Sequence, residues 1–384
     1  YIFIIGLLLC SYTWADGSRY ASKSLLSEGK WVKIRVDKTG IYKLSYADLK
    51  NMGFSDPSKV SVHGYGGWPL DEDFSKEYID DVPSTPVWRG SDYLLFYGKG
   101  PVKWEYDSSS QTFVHTNNPY SLYGYYFVTD ATPTNDMTSV AQASGATNRI
   151  TTYDDYLVHE QELVSLAKSG RELYGEDFSG ATPRTLSTFS SIPGITNEDA
   201  KVTMSFVSKV TSGTGVASLS INQSNVLDVS IRSNREEYVK ALEGVSTAVW
   251  KGEKSEKNSV VVSYNSASHN NVRLNYVRLH FKRTLQPYGA YTFFRSIASI
   301  GNVSRFVVQG ANANTLVFDV TDAQRVRLME TELNGSELTF SIPAGTLREF
   351  VLVRTDQSFI SPEVVGEVEN QNPVSYTHLR AHET

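Results

Sequence analysis

Between Trp31 and Asp37, Val32, Ile34 and Val36 alternate with Lys33 and Arg35. Side chains of an extended chain point to opposite faces in turn, so this period of two predicts a half-buried strand. Asp37-Lys38-Thr39-Gly40 interrupts the pattern before Ile41-Tyr42-Lys43-Leu44 resumes it. A four-residue connection ending in Gly predicts that the two runs form a hairpin. Ser45 and Asp48 have the spacing of a capping box, which predicts a short helix ended by Gly53. Val60–Tyr65 is a further strand, running into Gly66-Gly67.

Aromatic residues dominate the next stretch, nearly every third position between Tyr93 and Phe127. Two apolar-aromatic runs, Tyr93–Tyr97 and Tyr123–Thr129, are separated by turn signals at Gly98-Lys99-Gly100-Pro101, Asp107–Ser110 and Asn117-Asn118-Pro119. Aromatic and β-branched side chains fill a pleated surface well, so the stretch predicts a core β-meander with Phe96 and Phe127 inside. Tyr and Trp also carry a polar handle. Trp104, Tyr106 and Trp68 are therefore the candidate partner-binding residues, with Trp104, near the Gly-Pro turn, the expected exposed anchor.

Tyr153–Lys168 carries Tyr156, Leu157, Leu163, Val164 and Leu166 at mixed helical spacing, with Gly170 as a stop. It predicts a helical connector over residues 151–180. Strand patterns follow at Val202–Val207, Val216–Ile221, Val226–Ile231, Ser259–Tyr264 and Val272–Phe281. A third series runs through Phe306–Val308, Thr315–Val320, Val326–Met329, Leu338–Ile342 and Glu349–Val353. The expected fold is mainly β: two or three antiparallel β-sandwich or jelly-roll-like domains with one or two short helices. Its boundaries fall at 19–150, 151–180, 181–286 and 287–366.

The 384 residues can bury a full core, and the net charge of −6 comes without a block of Lys or Arg. That excludes nucleic acid and polybasic membrane contact as the main business of the chain. Tyr1–Cys10 is apolar and is followed by Thr13-Trp14-Ala15, as in a secretory signal peptide spanning 1–15. The start on Tyr1, without a basic region before the apolar run, is expected to be truncated. Cys10 is the single cysteine and would leave with the signal, so disulfides, thiolate metal sites and a Cys nucleophile are excluded from the mature chain. No later apolar run approaches the ~20 residues of a membrane-spanning helix.

Candidate chemistry is sparse. There is no G-x-S-x-G, H-E-x-x-H or phosphate-binding loop, so no catalytic, cofactor or metal-ligating set is expected. His63 and His280 fall in predicted strands, His115 in the meander, His159 on the predicted helix and His269 in a loop; all five read as structural or exposed residues. The acidic stretch Glu72–Asp81 has the composition of a Ca²⁺ site, but it lacks the spacing of a calcium loop and reads as solvated. On residues alone this is an exported, cysteine-free, β-rich binding or structural protein.

Several stretches taken in order resemble the amino-terminal, non-catalytic region of the PorU family of type IX secretion sortases. They are Trp31–Leu44, V-H-G-Y-G-G at Val62–Gly67, L-F-Y-G-K-G-P-x-x-W at Leu95–Trp104, and H-T-N-N-P-Y-S with Y-Y-F-V-T in His115–Thr129. Ser169–Phe178, Phe318–Asp322 and Val368–Asn372 complete the set. The resemblance implies an enzyme of Bacteroidetes at the outer-membrane surface, with a gingipain-type cysteine peptidase domain after the last motif. It removes the carboxy-terminal sorting domain of exported cargo and attaches the cargo to the surface. The partners implied are the outer-membrane barrel protein PorV, the secreted cargo and the chain's own peptidase domain. No catalytic residue is carried over, because the family's catalytic positions lie beyond the resemblance. Residues 373–384 read as an artefactual tail, and His378, Arg380 and His382 as no site. The competing expectations are a free-standing adhesin or glycan-binding sandwich and the propeptide of a gingipain-like protease.

Overall fold

The computed structural model describes residues 21–372, apart from 74, 76–78, 169–171, 181 and 267–268. The signal segment at 1–15, Gly170 and the tail at 373–384 lie outside the described residues. In chain order, the first strands are β1 (Trp31–Val36), β2 (Gly40–Ser45), β3 (Ser61–Gly66), β4 (Ser84–Thr85), β5 (Val87–Arg89), β6 (Tyr93–Gly98), β7 (Val102–Asp107), β8 (Thr112–Asn117) and β9 (Gly124–Thr129). They are followed by β10 (Ser139–Val140), β11 (Asn148–Ile150), β12 (Thr152–Glu160), β13 (Arg184–Thr185), β14 (Ala200–Val210), β15 (Thr214–Ile221), β16 (Ser224–Arg232), β17 (Leu242–Trp250), β18 (Val260–Asn265) and β19 (His269–Thr284). The last are β20 (Tyr291–Arg295), β21 (Ser304–Val308), β22 (Thr315–Asp319), β23 (Arg327–Met329), β24 (Glu332–Asn334), β25 (Glu337–Ile342), β26 (Glu349–Arg354) and β27 (Glu363–Val368). The expected mainly β, largely antiparallel class is what the chain adopts.

In the first sandwich, the sheet β27-β1-β9-β3-β4 packs on the sheet β2-β6-β5. Val32, Ile34, Val36, Tyr126 and Val128 from one layer meet Tyr42, Leu44, Leu94 and Phe96 from the other. The expected hairpin between β1 and β2 is a corner instead: β1 pairs with β9 and β27, and β2 pairs with β6. β2 buries both of its faces, Tyr42 and Leu44 toward the layer of β1 and Ile41 toward Phe318 and Val351, so it belongs to the layer between these rather than beside β1. The hydroxyl of Tyr42 fixes the corner by donating to the carbonyl of Lys38 at 2.8 Å. Helix α1 (Tyr46–Asn51) is capped as expected, with Ser45 Oγ accepting from the Asp48 N–H at 3.0 Å and Gly53 at φ +91° after its end.

The aromatic meander is also divided. β6 lies in the second layer, β9 in the first, and β7–β8 form a hairpin of their own. Phe96 is inside as expected, but Phe127 is only half-buried, because β9 turns Tyr126 and Val128 inward and Phe127 outward.

The two remaining sandwiches share one sheet of nine strands, β10-β23-β22-β26-β20-β12-β19-β14-β17. The sheet β13-β18-β15-β16 covers one half, around Val202, Met204, Phe206, Leu219 and Leu279. The sheet β11-β21-β25-β24 covers the other, around Phe294, Phe306, Phe340 and Phe350. The predicted helix at Tyr153–Lys168 is corrected here: its first half is β12, a central strand. Both of its faces are covered, so it shows no clean alternation, and its apolar residues fall at helical spacing by coincidence.

The expected boundaries do not separate sheets. β10 and β11, before residue 150, join strands of the third sandwich, and β27 completes the first. β17 had no sequence expectation, because its inward residues Gly244, Ser246 and Ala248 are too small to read as an apolar face.

Candidate functional site

Within the nine-stranded sheet, β12 pairs with β19 along its whole length but with β20 only at Asp154↔Arg295. The two halves of the sheet therefore meet at a thin seam, and the chain concentrates charge there. Asp154, 1% exposed, accepts from His280 Nε2 at 3.0 Å, Lys282 Nζ at 2.8 Å and the Ile297 N–H at 2.7 Å. Burial alone would raise its pKa, but these donors outweigh it and hold the carboxyl below its ordinary value. Arg295, equally buried, donates to the Asp154 carbonyl at 3.1 Å, and its Nε lies 3.0 Å from Glu349 Oε1. With Asp155 Oδ1 also 3.7 Å from its Nη1, this buried cation between two carboxylates is a staple between strands. Removing one partner would leave the other charged and unmatched.

The β7–β8 hairpin closes over this seam. Trp104, Tyr106, Phe113 and His115 share one face of the hairpin, since residues directly opposite in the ladder lie on the same side. Trp104 stacks on Tyr156 with ring centroids 4.0 Å apart and 18° between planes. Phe113 meets His280 edge-on at 5.1 Å, and His115 meets Tyr276 edge-on at 4.9 Å. His115 Nε2 also lies 2.9 Å from Glu160 Oε2, and Asn117 donates to the same oxygen at 2.7 Å. At the tip, Lys201 Nζ donates to the carbonyl of Ser110 at 2.6 Å. Asp107 accepts there from Ser110 and Ser109, which bring its pKa down to about 2.

The three candidate binding residues do not form one platform. Trp104 is half-buried rather than an exposed anchor, because Tyr156 takes its face; Tyr106 lies beside Phe113 at 5.5 Å. Trp68 belongs to a separate crossing of backbones. There the Gly67 N–H donates to the Lys99 carbonyl at 2.9 Å, the Lys99 N–H to the Tyr126 hydroxyl at 2.7 Å, and Asn118 Nδ2 to the Gly67 carbonyl at 2.9 Å. A methyl group at Gly66 would approach Lys99 Cβ to 2.8 Å, so only glycine fits where these segments cross. Lys99 itself, taken in sequence as part of a turn, points its ammonium at Tyr65 and Trp68, 4.0 and 4.9 Å from the ring centroids. The density of glycines on both segments, G-Y-G-G and G-K-G, was the signal that could have marked it.

At the opposite edge of the same sheet, β27 runs antiparallel to β1, with Arg35 forming two bonds to Glu363 at 2.9 and 2.6 Å. Beyond it, the Gln371 N–H donates to the Leu26 carbonyl at 3.0 Å, and Asn372 Oδ1 accepts from the Ser24 N–H at 3.1 Å. The segments just before β1 and just after β27 are thus tied together beside the paired strands. A cleft of about 360 Å³ lies between α1 and this strand, lined by Asp48, Met52, Val364 and Glu367 among others.

No group of three or more His, Cys, Asp or Glu that could hold a metal ion occurs among the described residues. The seam gathers acid, base and aromatic groups between strands, with the Tyr153 hydroxyl donating to Asp155 Oδ2 at 3.4 Å, and forms a charged, enclosed joint.

No family model matches the chain, and no curated protein does. Among solved structures it is similar to the crystal structure of dimeric latent PorU from Porphyromonas gingivalis, with a TM-score of 0.86 and 31% sequence identity. The similarity covers 93% of this chain and 34% of that one, so the chain spans about a third of the length of that protein. A crystal structure of BuGH86 in complex with neoagarooctaose covers 67% of the chain at 10% identity, but its TM-score of 0.20 carries no argument about fold.

Proposed function

Since the chain is a PorU-like region, we propose that it is the non-catalytic, amino-terminal scaffold of a type IX secretion sortase. In this reading the parent enzyme removes the carboxy-terminal sorting domain of exported cargo at the outer-membrane surface and attaches the cargo there. It does so beside a barrel partner of the PorV kind. A cysteine peptidase needs a thiolate, and Cys10 is the only cysteine of these 384 residues. The chemistry therefore belongs to a further domain, and the task of this region is positional.

The observation that carries the reading is the return of β27 to β1, with residues 371–372 bonded to residues 24–26. Whatever follows Asn372 starts from a strand locked into the first sandwich, itself packed on the nine-stranded sheet through Ile41, Leu95, Tyr97, Phe318 and Val351. A domain attached at that point is held in a fixed orientation.

The test is made in the parent protein by replacing Glu367 and Val368 with proline. These neighbours pair with Val32 and Trp31 without a bulge, so one of their N–H groups serves the ladder and is lost. The expected result is exported cargo that retains its sorting domain. Normal cargo processing with β27 shown by hydrogen exchange to be detached would overturn the proposal.

A further inference from the structure

Lys99 is 4% exposed, and no carboxylate among the described residues pairs with its ammonium. Its only close company is the rings of Tyr65 and Trp68. A second donor beside it is also unused: Trp68 Nε1 is buried and has no acceptor. Aromatic faces attract a cation but accept no ordinary hydrogen bond, so neither donor has an acceptor among the described residues, and the indole N–H is the one buried without a partner. The backbone holding them is rigidly built, from the glycine crossing at Gly66 and Gly67 to the bonds of Lys99 with Tyr126 and Gly67.

We infer that this notch is a socket for a carboxylate on a partner polypeptide, taking one bond from Lys99 Nζ and one from Trp68 Nε1. A planar, two-oxygen acceptor suits these donors, and its charge matches a cation that has no ion-pair partner among the described residues and feels the Asp322 carboxylate only at a distance. A water molecule could satisfy the indole but would leave that charge unmatched. The surroundings point to a peptide rather than a free ion. Leu70 is 63% exposed two residues beyond Trp68. Tyr120 and Leu122 are 81% and 72% exposed on the loop that Asn118 ties to the Gly67 carbonyl. Exposed apolar side chains beside a buried polar socket are the arrangement of a docking surface. Burial brings the Lys99 pKa down to about 8, which leaves the side chain mostly cationic at neutral pH. The inference does not depend on the scaffold role proposed above.

The six indole N–H groups of the chain provide the readout in a ¹H–¹⁵N correlation spectrum, with Trp68 assigned by Trp68→Phe. The probes are two blocked tripeptides, acetyl-Leu-Asp-Leu-amide and its Asn counterpart, titrated at fixed ionic strength. The Asp peptide should move the Trp68 signal to saturation, and the Asn peptide should bind about tenfold more weakly or worse. Lys99→Met should abolish the response and Lys99→Arg should keep part of it. If Lys99→Met loses the dispersion of the other indole signals, the Asp and Asn comparison on the unaltered chain decides alone. Equal affinity for the two peptides, no movement of Trp68, or an undiminished response in a folded Lys99→Met chain would overturn the inference.

Discussion

Phe96 is fully enclosed, with Tyr126 and Tyr42 at ring distances of 5.3 and 5.8 Å. Its replacement by Ala should cost about 3–5 kcal/mol in urea unfolding. Phe127→Ala, on the outer side of β9, should cost only about 1–2 kcal/mol, in proportion to its partial burial. A run such as Y-Y-F-V is aromatic on both faces, so composition could place it in a strand without saying which residues point inward. Lys99 gives a pH test. Its pKa in the fold is about 8, against the ordinary 10.5 it regains on unfolding, so the native state releases its proton first. Between those values the unfolded chain binds more protons, and stability should rise with pH. Below about 8 both states are charged and the term is constant. Urea midpoints should show this rise in the unaltered chain and lose it in Lys99→Met. Asp154 has the same sign in the acid range: with its pKa held low in the fold, its contribution is present above the ordinary carboxyl range and is lost as acid reaches the lowered value.

Strands with one covered face were legible as elements, and those with two covered faces or small inward residues were not. β1 and the later strands β21, β22, β25 and β26 alternate or cluster their apolar residues and were found within a few positions. β12 looked helical because Trp104 and Phe113 cover one side of Tyr156 territory while Tyr153 fills the core on the other. The corner between β1 and β2 was read as a hairpin because turn residues reveal that the chain reverses, not which sheet it enters. The glycine crossing gives a prediction at this scale. A methyl group at Gly124 would run into the Lys99 carbonyl, so Gly124→Ala should cost about 1–3 kcal/mol or more and lower the thermal midpoint. The same change at Gly145, which has open space around it, acts only through its positive φ and should cost less. Of the candidate site, the aromatic residues were visible in sequence. Their partners Tyr156, Tyr276 and Arg295 were not, since they come from β12, β19 and β20, far along the chain from the hairpin.

At the scale of the molecule, sequence order and spatial order diverge: β10 and β11 serve the third sandwich, and β27 serves the first. Such exchange between segments far apart in the chain cannot be read from local pattern, which is why the expected boundaries cut through sheets. The purified chain should hydrolyse no sorting-domain peptide, and activity abolished by a point change within residues 16–372 would contradict the scaffold role. The central claim is that β27 closes the first sandwich and fixes the exit of the chain. Amide hydrogen exchange tests it most directly, comparing the chain through Asn372 with one ending before Glu363. Residues 363–368 should exchange about as slowly as β9 in the longer chain, and β1 should lose protection in the shorter one while β14 and β19 keep theirs. Rapid exchange of residues 363–368, with β1 equally protected in both chains, would contradict it.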